Sequence, residues 1–321
     1  MAAVRRNILT DENSRKQFID GVKLLKAEFL GFSTADLGIA GAQQQVSTYD
    51  LFVAWHHIAM SIFTPATQGE RNAAHGGPVF PPWHRFMLIL FELQLQRVLS
   101  DENFGLPYWD WAEDGDLAPA DQPGSALWNP DCMGGQGQPV DTGPFAFDAA
   151  DPATWEVRLA INAQNNLITT SRGLQRAFGD NVAFLPTKAE VAGVLGDDTY
   201  DEPPWSTGSG HFRNFLEGWQ PDPPNLHNQV HVWVGGDMLF SSSPNDPVFY
   251  LNHCNVDRIW ASWLDQNGAI YVPDQNESDD LQGHRIDDAM YSLLTDPNNP
   301  VTPGQMLDVA DFYAYDVLET P

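Results

Sequence analysis

Two histidines four residues apart, His227 and His231, constrain the fold of this chain more strongly than any other feature. They lie in the run LHNQVHVWV, which contains no glycine or proline and is predicted to be helical, so both imidazoles leave one face of the helix a turn apart. His253 follows a Ser-Ser-Ser-Pro-Asn-Asp-Pro loop and lies in a second helical segment. Three imidazole nitrogens suit copper or zinc, and their spacing alone does not separate the two metals.

A second set of three histidines lies upstream. His56 belongs to the helical segment YDLFVAWHHIAM, His75 to the loop sequence AAHGG, and His84 to the segment PPWHRFMLILFELQLQRV, whose two prolines suit a helix start. The neighbouring His57 points about a hundred degrees away around the helix axis, so only one of His56 and His57 can face a metal well. His57 is expected to be a partly exposed histidine. Six of the nine histidines thus form two sets of three, which indicates a pair of all-nitrogen metal sites.

The negative charge of the chain excludes some classes of binding partner. Its 321 residues carry a formal charge of −27, from 16 basic and 43 acidic side chains. Such a surface repels nucleic acid and anionic membranes, so neither is expected as a partner. No stretch is long and apolar enough to cross a bilayer, and the N-terminal sequence MAAVRRNILTDENSRK lacks the apolar segment of a secretion signal. We therefore expect a cytoplasmic protein, unless it is exported with a partner.

The two histidine sets must meet in space, which favours a single domain over residues 1–321. The helices that carry the sets are predicted to form a four-helix bundle core, with the first metal region at about 49–99 and the second at about 215–263. The 24 prolines and 26 glycines predict long irregular loops elsewhere. The expected fold class is therefore mainly α.

These blocks resemble the two copper regions of tyrosinases, the type 3 copper proteins in which two copper ions, each held by three histidines, bind dioxygen. The matching phrases are PWHR, LPYWDW, LHNQVHVWVGG, SPNDPVF and HCNVDRIW, in family order, and they are closest to the short bacterial tyrosinases. The resemblance favours His56 over His57, because YDLFV matches the family phrase before the first ligand. It implies a dinuclear copper site with O2 as co-substrate and six ligands: His56, His75, His84, His227, His231 and His253.

The resemblance also implies roles for residues around the metals. Glu217, in the phrase FRNFLEGW, would hold a water that helps to deprotonate a phenol, and Asn228, beside His227, would pair with that glutamate. Phe249 is expected to pack on the imidazoles. Asp257 is expected to accept a hydrogen bond from a ligand N–H or to cap the helix.

Two further features bear on the substrate pocket and the chain ends. Asn252 stands where the family usually has a histidine before the last ligand, and it is expected to lie close to the substrate. The loop from Met238 to Ser243 is expected to gate the pocket, and its small residues Ser241, Ser242 and Ser243 predict an accessible pocket. The phrase DFYAY near the end resembles a family motif that contacts an arginine near the N-terminus, here Arg5 or Arg6.

The expected function is oxidation of a small phenolic substrate. A type 3 copper oxidase converts o-diphenols or o-aminophenols to o-quinones or quinone imines, and the presence of Glu217 and Asn228 favours ortho-hydroxylation of monophenols as well. The alternatives are an o-aminophenol or catechol oxidase without that hydroxylation, and an oxygen carrier similar to haemocyanin. A copper-loading helper protein, as some bacterial relatives use, is a further expected partner.

Overall fold

The computed structural model describes residues 2–151, 153–162, 166–168, 171–219 and 225–320. In these residues eight α-helices dominate, and four short strands form two two-stranded sheets, β1 with β4 in parallel and β2 with β3 antiparallel. The predicted mainly α class is confirmed. The elements are β1 (Ala3–Arg5), α1 (Glu12–Ala27), β2 (Phe29–Ser33), β3 (Gln45–Ser47), α2 (Thr48–Ser61), α3 (Phe80–Leu99), α4 (Trp111–Gly115), α5 (Lys188–Leu195), α6 (His211–Glu217), α7 (Leu226–Val234), α8 (Val248–Asn267) and β4 (Tyr313–Tyr315).

The helices that carry the histidines begin at recognisable sequence signals. Ser47 precedes α2 and forms a capping box with Asp50, in which each side chain bonds to the backbone of the other residue. Pro81 and Pro82 lie in the first turn of α3, where a missing N–H leaves no intrahelical bond unmade. Helices α3 and α8 have 20 residues each, and no helix in the described part of the chain is long and apolar enough to cross a membrane.

The core between the helices is rich in tryptophan. Helix α3 packs on α1 and α8, and α7 packs on α8. Trp55, Trp83, Trp233 and Trp260 are completely buried among these helices. Burying such a ring removes a large apolar area from water and stabilises the packing that holds the histidines, by roughly 2–3 kcal/mol per side chain. Phe18, Val22 and Leu25 on α1 are also buried and cover one side of this core.

Asp257, expected beside a metal ligand, instead holds the chain ends to the core. Its carboxylate accepts hydrogen bonds from Arg85 Nε at 2.5 Å, from Arg5 Nη1 at 3.1 Å, and from the hydroxyls of Tyr313 and Tyr315. It lies in the middle of α8, so it caps no helix end, and no hydrogen bond to a described histidine involves it. Both predicted roles for Asp257 are therefore wrong.

The ends of the chain meet at this carboxylate. Strand β1 pairs with β4, with Ala3 opposite Tyr313, and the Arg5 guanidinium lies 3.4 Å from the centre of the Tyr313 ring. Arg5 also forms an ion pair with buried Glu92 at 2.8 Å. Of the two arginines predicted to contact the tyrosine motif, Arg5 does so, whereas Arg6 lies at the surface beside Asp11. The buried charges are paired, as their removal from water requires.

Candidate metal centre

The structure brings the first three histidines together. His56 comes from the third turn of α2, His84 from the second turn of α3, and His75 from the loop between these helices. One nitrogen of each ring lies within 4.8 Å of the others. The loop is fixed by short-range bonds, because the side-chain oxygen of Asn72 accepts from the backbone N–H of His75 at 2.8 Å. Gly76 has a φ of 77°, and a Cβ there would come within 2.6 Å of the Glu70 carbonyl, so glycine is required.

The second three histidines form a matching group. His227 and His231 lie one turn apart on α7, and His253 faces them from α8. The Nε2 atom of His253 lies 3.1 Å from that of His227 and 3.3 Å from that of His231. The two groups are adjacent, because the rings of His84 and His253 stack with their centres 4.3 Å apart. The structure thus juxtaposes all six histidines that the sequence predicts as ligands.

Hydrogen bonds orient four of the six rings. A backbone carbonyl only accepts, so a ring nitrogen bonded to it carries the proton and the other nitrogen keeps its lone pair. Each of the four rings donates from Nδ1 and leaves Nε2 as the metal-binding atom. The bonds run from His56 to Ser241 O at 2.7 Å, from His84 to Phe80 O at 2.8 Å, from His231 to Met238 O at 2.8 Å and from His227 to Glu217 O at 3.2 Å.

Burial keeps these imidazoles neutral. Burial lowers the pKa of His56 to about 3 and that of His231 to about 4, in each case against a bond to a backbone carbonyl, which raises it. Burial, together with the neighbouring imidazoles, lowers the pKa of the other four predicted ligands well below the usual value. Metal ligation requires the neutral ring. The six rings are therefore deprotonated and ready to bind at neutral pH.

The donor set fits two small soft or borderline cations. Tetrahedral coordination with metal–nitrogen bonds near 2.0 Å places neighbouring nitrogens about 3.3 Å apart, and the separations of His253 from its two partners are 3.1 and 3.3 Å. The Nε2 atoms of His56 and His84 are buried and have no hydrogen-bond partner among the described residues. An unpartnered buried nitrogen costs about 1–3 kcal/mol, and a bound metal would remove that cost.

Two phenylalanines pack against the rings. Phe249 lies 4.1 Å from the ring centre of His253 and 5.0 Å from that of His56, which confirms its predicted contact with the imidazoles. The sequence reasoning missed Phe80, whose ring lies 4.7 Å from His84 and 4.9 Å from His227. A helix-start phenylalanine carries no signal of this role. Both rings touch members of each triad and hold the two groups at a fixed separation.

A cavity of about 390 Å³ opens above the triads. Four of the histidines line its floor, and its walls include the predicted residues Met238 and Ser243 together with Asn228. Its outer part carries three large apolar side chains that the sequence reasoning did not single out, and each is more than a third exposed. These rim residues are Trp219, Leu239 and Phe240.

Three sequence expectations about the surroundings need correction. Asn252 is fully buried in α8 and does not line the cavity, and both polar atoms of its amide have no partner among the described residues. Ser242 is also buried and outside the cavity wall, where its hydroxyl accepts from the backbone of Ile161. His57, expected to be partly exposed, is buried with Nδ1 at 2.8 Å from the Ser241 hydroxyl.

Glu217 lies behind the cavity wall and binds the loop of the first triad. Its carboxylate accepts from the backbone N–H of Gly76 at 2.7 Å and from Arg213 Nη1 at 3.0 Å, and the Trp219 indole donates to it as well. Burial raises the pKa of Glu217, whereas the Arg213 charge lowers it. The predicted direct pairing of Asn228 with Glu217 is not observed among the described contacts, because the Asn228 side chain donates to Gly218 O at 2.9 Å instead.

Comparisons with known proteins agree with this geometry. Residues 46–266 match the family described as the common central domain of tyrosinase. The tyrosinase of Streptomyces antibioticus is 39% identical over 279 residues, which cover 85% of this chain and 91% of that protein. The chain belongs to the tyrosinase family. It is therefore a dinuclear copper oxidoreductase that oxidises phenols, and the two triads fit its copper ions.

Two further proteins are similar to the chain, one in sequence and one in fold. Grixazone synthase of Streptomyces griseus is 36% identical over 296 residues, which cover 84% of this chain and 90% of that protein. A polyphenol oxidase variant from Thermothelomyces thermophila shares the fold with a TM-score of 0.67 at 22% identity, over 98% of this chain and 88% of that one. That the six histidines are the copper ligands of this tyrosinase-family protein stays a prediction, and the positions of the six rings are compatible with it.

Proposed function

We propose that this enzyme oxidises small o-diphenols and o-aminophenols with O2 and also hydroxylates monophenols at the ortho position. One observation carries the proposal: two triads of neutral imidazoles lie side by side, backbone bonds at Nδ1 orient four of the six rings, and four of the rings line a cavity of about 390 Å³. Copper, when bound there, supplies the oxidising power through O2. The chain supplies the positions of the ligands and the walls of the cavity.

The walls orient a phenol with its oxygen toward the floor. Met60, Val232 and Met238 provide apolar contact around the ring, and the histidines below are the polar end of the cavity. Such a division, with apolar walls and a few convergent polar groups, is typical of small-molecule sites. Displacing water from these walls favours binding of the aromatic ring.

The hydroxylation of monophenols needs a group that receives the phenol proton. Glu217 contacts both triads: its backbone oxygen accepts from His227, and its carboxylate accepts from Gly76, the residue after His75. Each carboxylate oxygen has two lone pairs, so these bonds leave acceptor capacity for a water. We assign Glu217 the role of proton acceptor through a water and Asn228, on the cavity wall, the role of orienting the substrate or that water.

A second candidate is an o-aminophenol oxidase without monophenol hydroxylation. The similarity to grixazone synthase over most of both chains favours it. Asn252, which directly precedes His253 in the sequence, is the residue that departs from the family phrase, and both polar atoms of its amide are buried and unpartnered among the described residues. An altered environment for the last ligand would change the oxidising power of the site without changing its ligands.

Copper loading and location belong to the same proposal. Five of the six histidines are buried, so copper must enter through the cavity. We propose a small helper protein for this step and a cytoplasmic site of folding. Copper uptake by the purified metal-free protein tests the helper: slow or incomplete uptake supports it, and rapid uptake of two copper ions per chain would make it unnecessary.

Oxygen uptake by the copper-loaded protein tests the reaction itself, with two monophenols (tyrosine and the uncharged 4-methylphenol), a catechol and an o-aminophenol supplied in parallel. Uptake with either monophenol without added diphenol supports monophenol hydroxylation. Uptake only with the catechol or the o-aminophenol supports the second candidate. Reversible oxygen binding without uptake on any substrate would identify a carrier similar to haemocyanin and contradict the oxidase proposal.

A further inference from the structure

Among the residues that the structure describes, no side chain with a fixed charge lines the cavity above the triads. The lining consists of histidines, apolar side chains, glycine, Asn228 and two serines. Residues 220–224 lie outside the described residues, and their sequence QPDPP contains no lysine or arginine.

The basic side chains of the chain are all elsewhere. There are only 16 lysines and arginines, all of them in described residues, and none lines the cavity. Arg213, which contacts Glu217, is fully buried. Its guanidinium donates to Asp201, Glu217 and the backbone oxygen of Ser206, so it is not available to bind a ligand in the cavity.

The rim of the cavity is also uncharged and apolar. Trp219 and Leu239 are each 44% exposed and Phe240 is 37% exposed, and all three line the cavity. A phenol whose oxygen points to the triads directs its para substituent toward this rim. That substituent therefore meets apolar surface, and a charged group there would lose part of its hydration without gaining a partner.

We propose that the enzyme selects phenols whose para substituent is uncharged, and discriminates against those that carry a carboxylate there. This inference rests on the proposed oxidase function and names the substrate class of the same site. The discrimination is local. The overall charge of −27 also repels anions, but that effect is screened beyond about 10 Å at 0.1 M salt, whereas an apolar rim acts at any salt concentration.

A matched substrate pair tests the proposal: 3,4-dihydroxyphenylacetamide against 3,4-dihydroxyphenylacetate. The two differ in charge and hardly in size, and the methylene group insulates the ring from either substituent. We expect kcat/KM to be about tenfold or more higher for the amide, because the acid must desolvate its carboxylate. The ratio should persist in 0.5 M salt. Equal values for the two substrates would overturn the proposal.

Rim variants separate the local effect from the charge of the whole protein. Leu239→Arg adds a cation at the rim, and Leu24→Arg adds one on α1, where Leu24 is 48% exposed and lies outside the cavity. We expect Leu239→Arg to reduce the amide-to-acid ratio about threefold or more and Leu24→Arg to leave it unchanged. Leu239→Glu should increase the ratio. Equal reductions in the two arginine variants would contradict a local origin.

A binding measurement keeps this test separate from the oxidase proposal. Ligand-observed NMR on the metal-free protein compares 4-hydroxyphenylacetamide with 4-hydroxyphenylacetate, which require no turnover to be detected. Preferential binding of the amide supports the selectivity, even if no catechol were oxidised and the proposed reaction failed. Equal binding, with normal catechol oxidation by the copper-loaded protein, would overturn the selectivity alone.

Discussion

The two histidine triads are built differently. The second comes entirely from helices, with His227 and His231 on α7 and His253 on α8. The first includes His75, which lies on the loop between α2 and α3; its Nδ1, like that of His253, has no hydrogen-bond partner among the described residues. The next residue of that loop, Gly76, donates its backbone N–H to Glu217, 141 residues away in sequence.

The difference shows two ways of positioning a metal ligand. A helix fixes the direction of its side chains through its own backbone bonds and needs only a correct register. A loop ligand has no such regular backbone and depends on individual contacts. Here the nearby Asn72 side chain binds the backbone of His75, and the buried Glu217 carboxylate of α6 binds the next residue, Gly76. The first triad should therefore be the more sensitive to changes outside its own ligands. The four predictions below test this comparison, from the largest expected effect to the smallest.

Removal of one ligand from either triad should abolish oxidation, because the reaction needs both metals. We expect His75→Asn and His253→Asn each to reduce kcat with a catechol by about ten-thousandfold or more. Bound copper should fall from two ions to one per chain in each variant. Copper analysis and oxygen uptake on the same samples measure both effects. Loss of both copper ions in one variant alone would show that the triads do not bind independently.

Asp257→Asn should destabilise the whole fold and not one triad. This carboxylate joins α3, through Arg85, to α8 and to both chain ends, and it is completely enclosed by its partners. Removing one partner from such a buried network costs about 3–5 kcal/mol. Urea unfolding of the metal-free protein measures the change, with Asp265→Asn, at an exposed position of the same helix, as the control. A change below about 1 kcal/mol would remove Asp257 from its assigned role.

Glu217→Gln should weaken the first triad selectively. The glutamine side chain loses the ion pair with Arg213 and binds Gly76 less strongly. We expect copper affinity at the first site to fall about 10- to 100-fold and that at the second to stay the same. Competition with a chelator, in the His253→Asn and His75→Asn backgrounds, resolves the two sites, and Glu102→Gln at an exposed position is the control.

The same variant distinguishes two roles of Glu217. If the carboxylate only holds the loop, oxidation of catechol and of tyrosine should fall together and recover at high copper concentration. If it also receives the phenol proton, hydroxylation of tyrosine should stay depressed after copper saturation, while catechol oxidation recovers. Unchanged rates with both substrates would exclude either role.

Ser47→Ala should have the smallest effect. Ser47 caps α2, which carries His56, whereas α7 of the second triad has no side-chain cap. Loss of the cap should reduce the free energy of unfolding by about 1 kcal/mol. Because His56 lies in the third turn of α2, copper binding should be unchanged. Thermal unfolding and copper analysis of the variant check both parts, and Ser47→Thr, which retains the capping hydroxyl, should restore stability.

The sequence predicts the helical part of the site well. The spacing of His227 and His231 reflects the period of a helix, and the prolines before His84 mark a helix start. These signals are local, so they can be interpreted without knowledge of the tertiary fold. The resemblance to tyrosinases added the choice of copper and of His56 over His57, and the comparisons confirm the family.

The contacts between distant segments could not be predicted in the same way. Asp257 lies one turn from His253, which suggests contact with a ligand, yet its partners are Arg85 and residues at both chain ends. Asn252 precedes the last ligand in the sequence, but its side chain is buried in the protein core. Adjacent residues on a helix point about a hundred degrees apart, so sequence proximity to a ligand does not imply proximity to the substrate.

The number of copper ions needed for activity tests the central claim most directly. Metal-free protein is titrated with copper, and each sample is measured for bound copper per chain and for oxygen uptake with a catechol. Two triads acting as one site predict saturation at two ions per chain, with activity that rises steeply only as the second ion binds. Full activity at one ion per chain, or saturation at one, would contradict the dinuclear account.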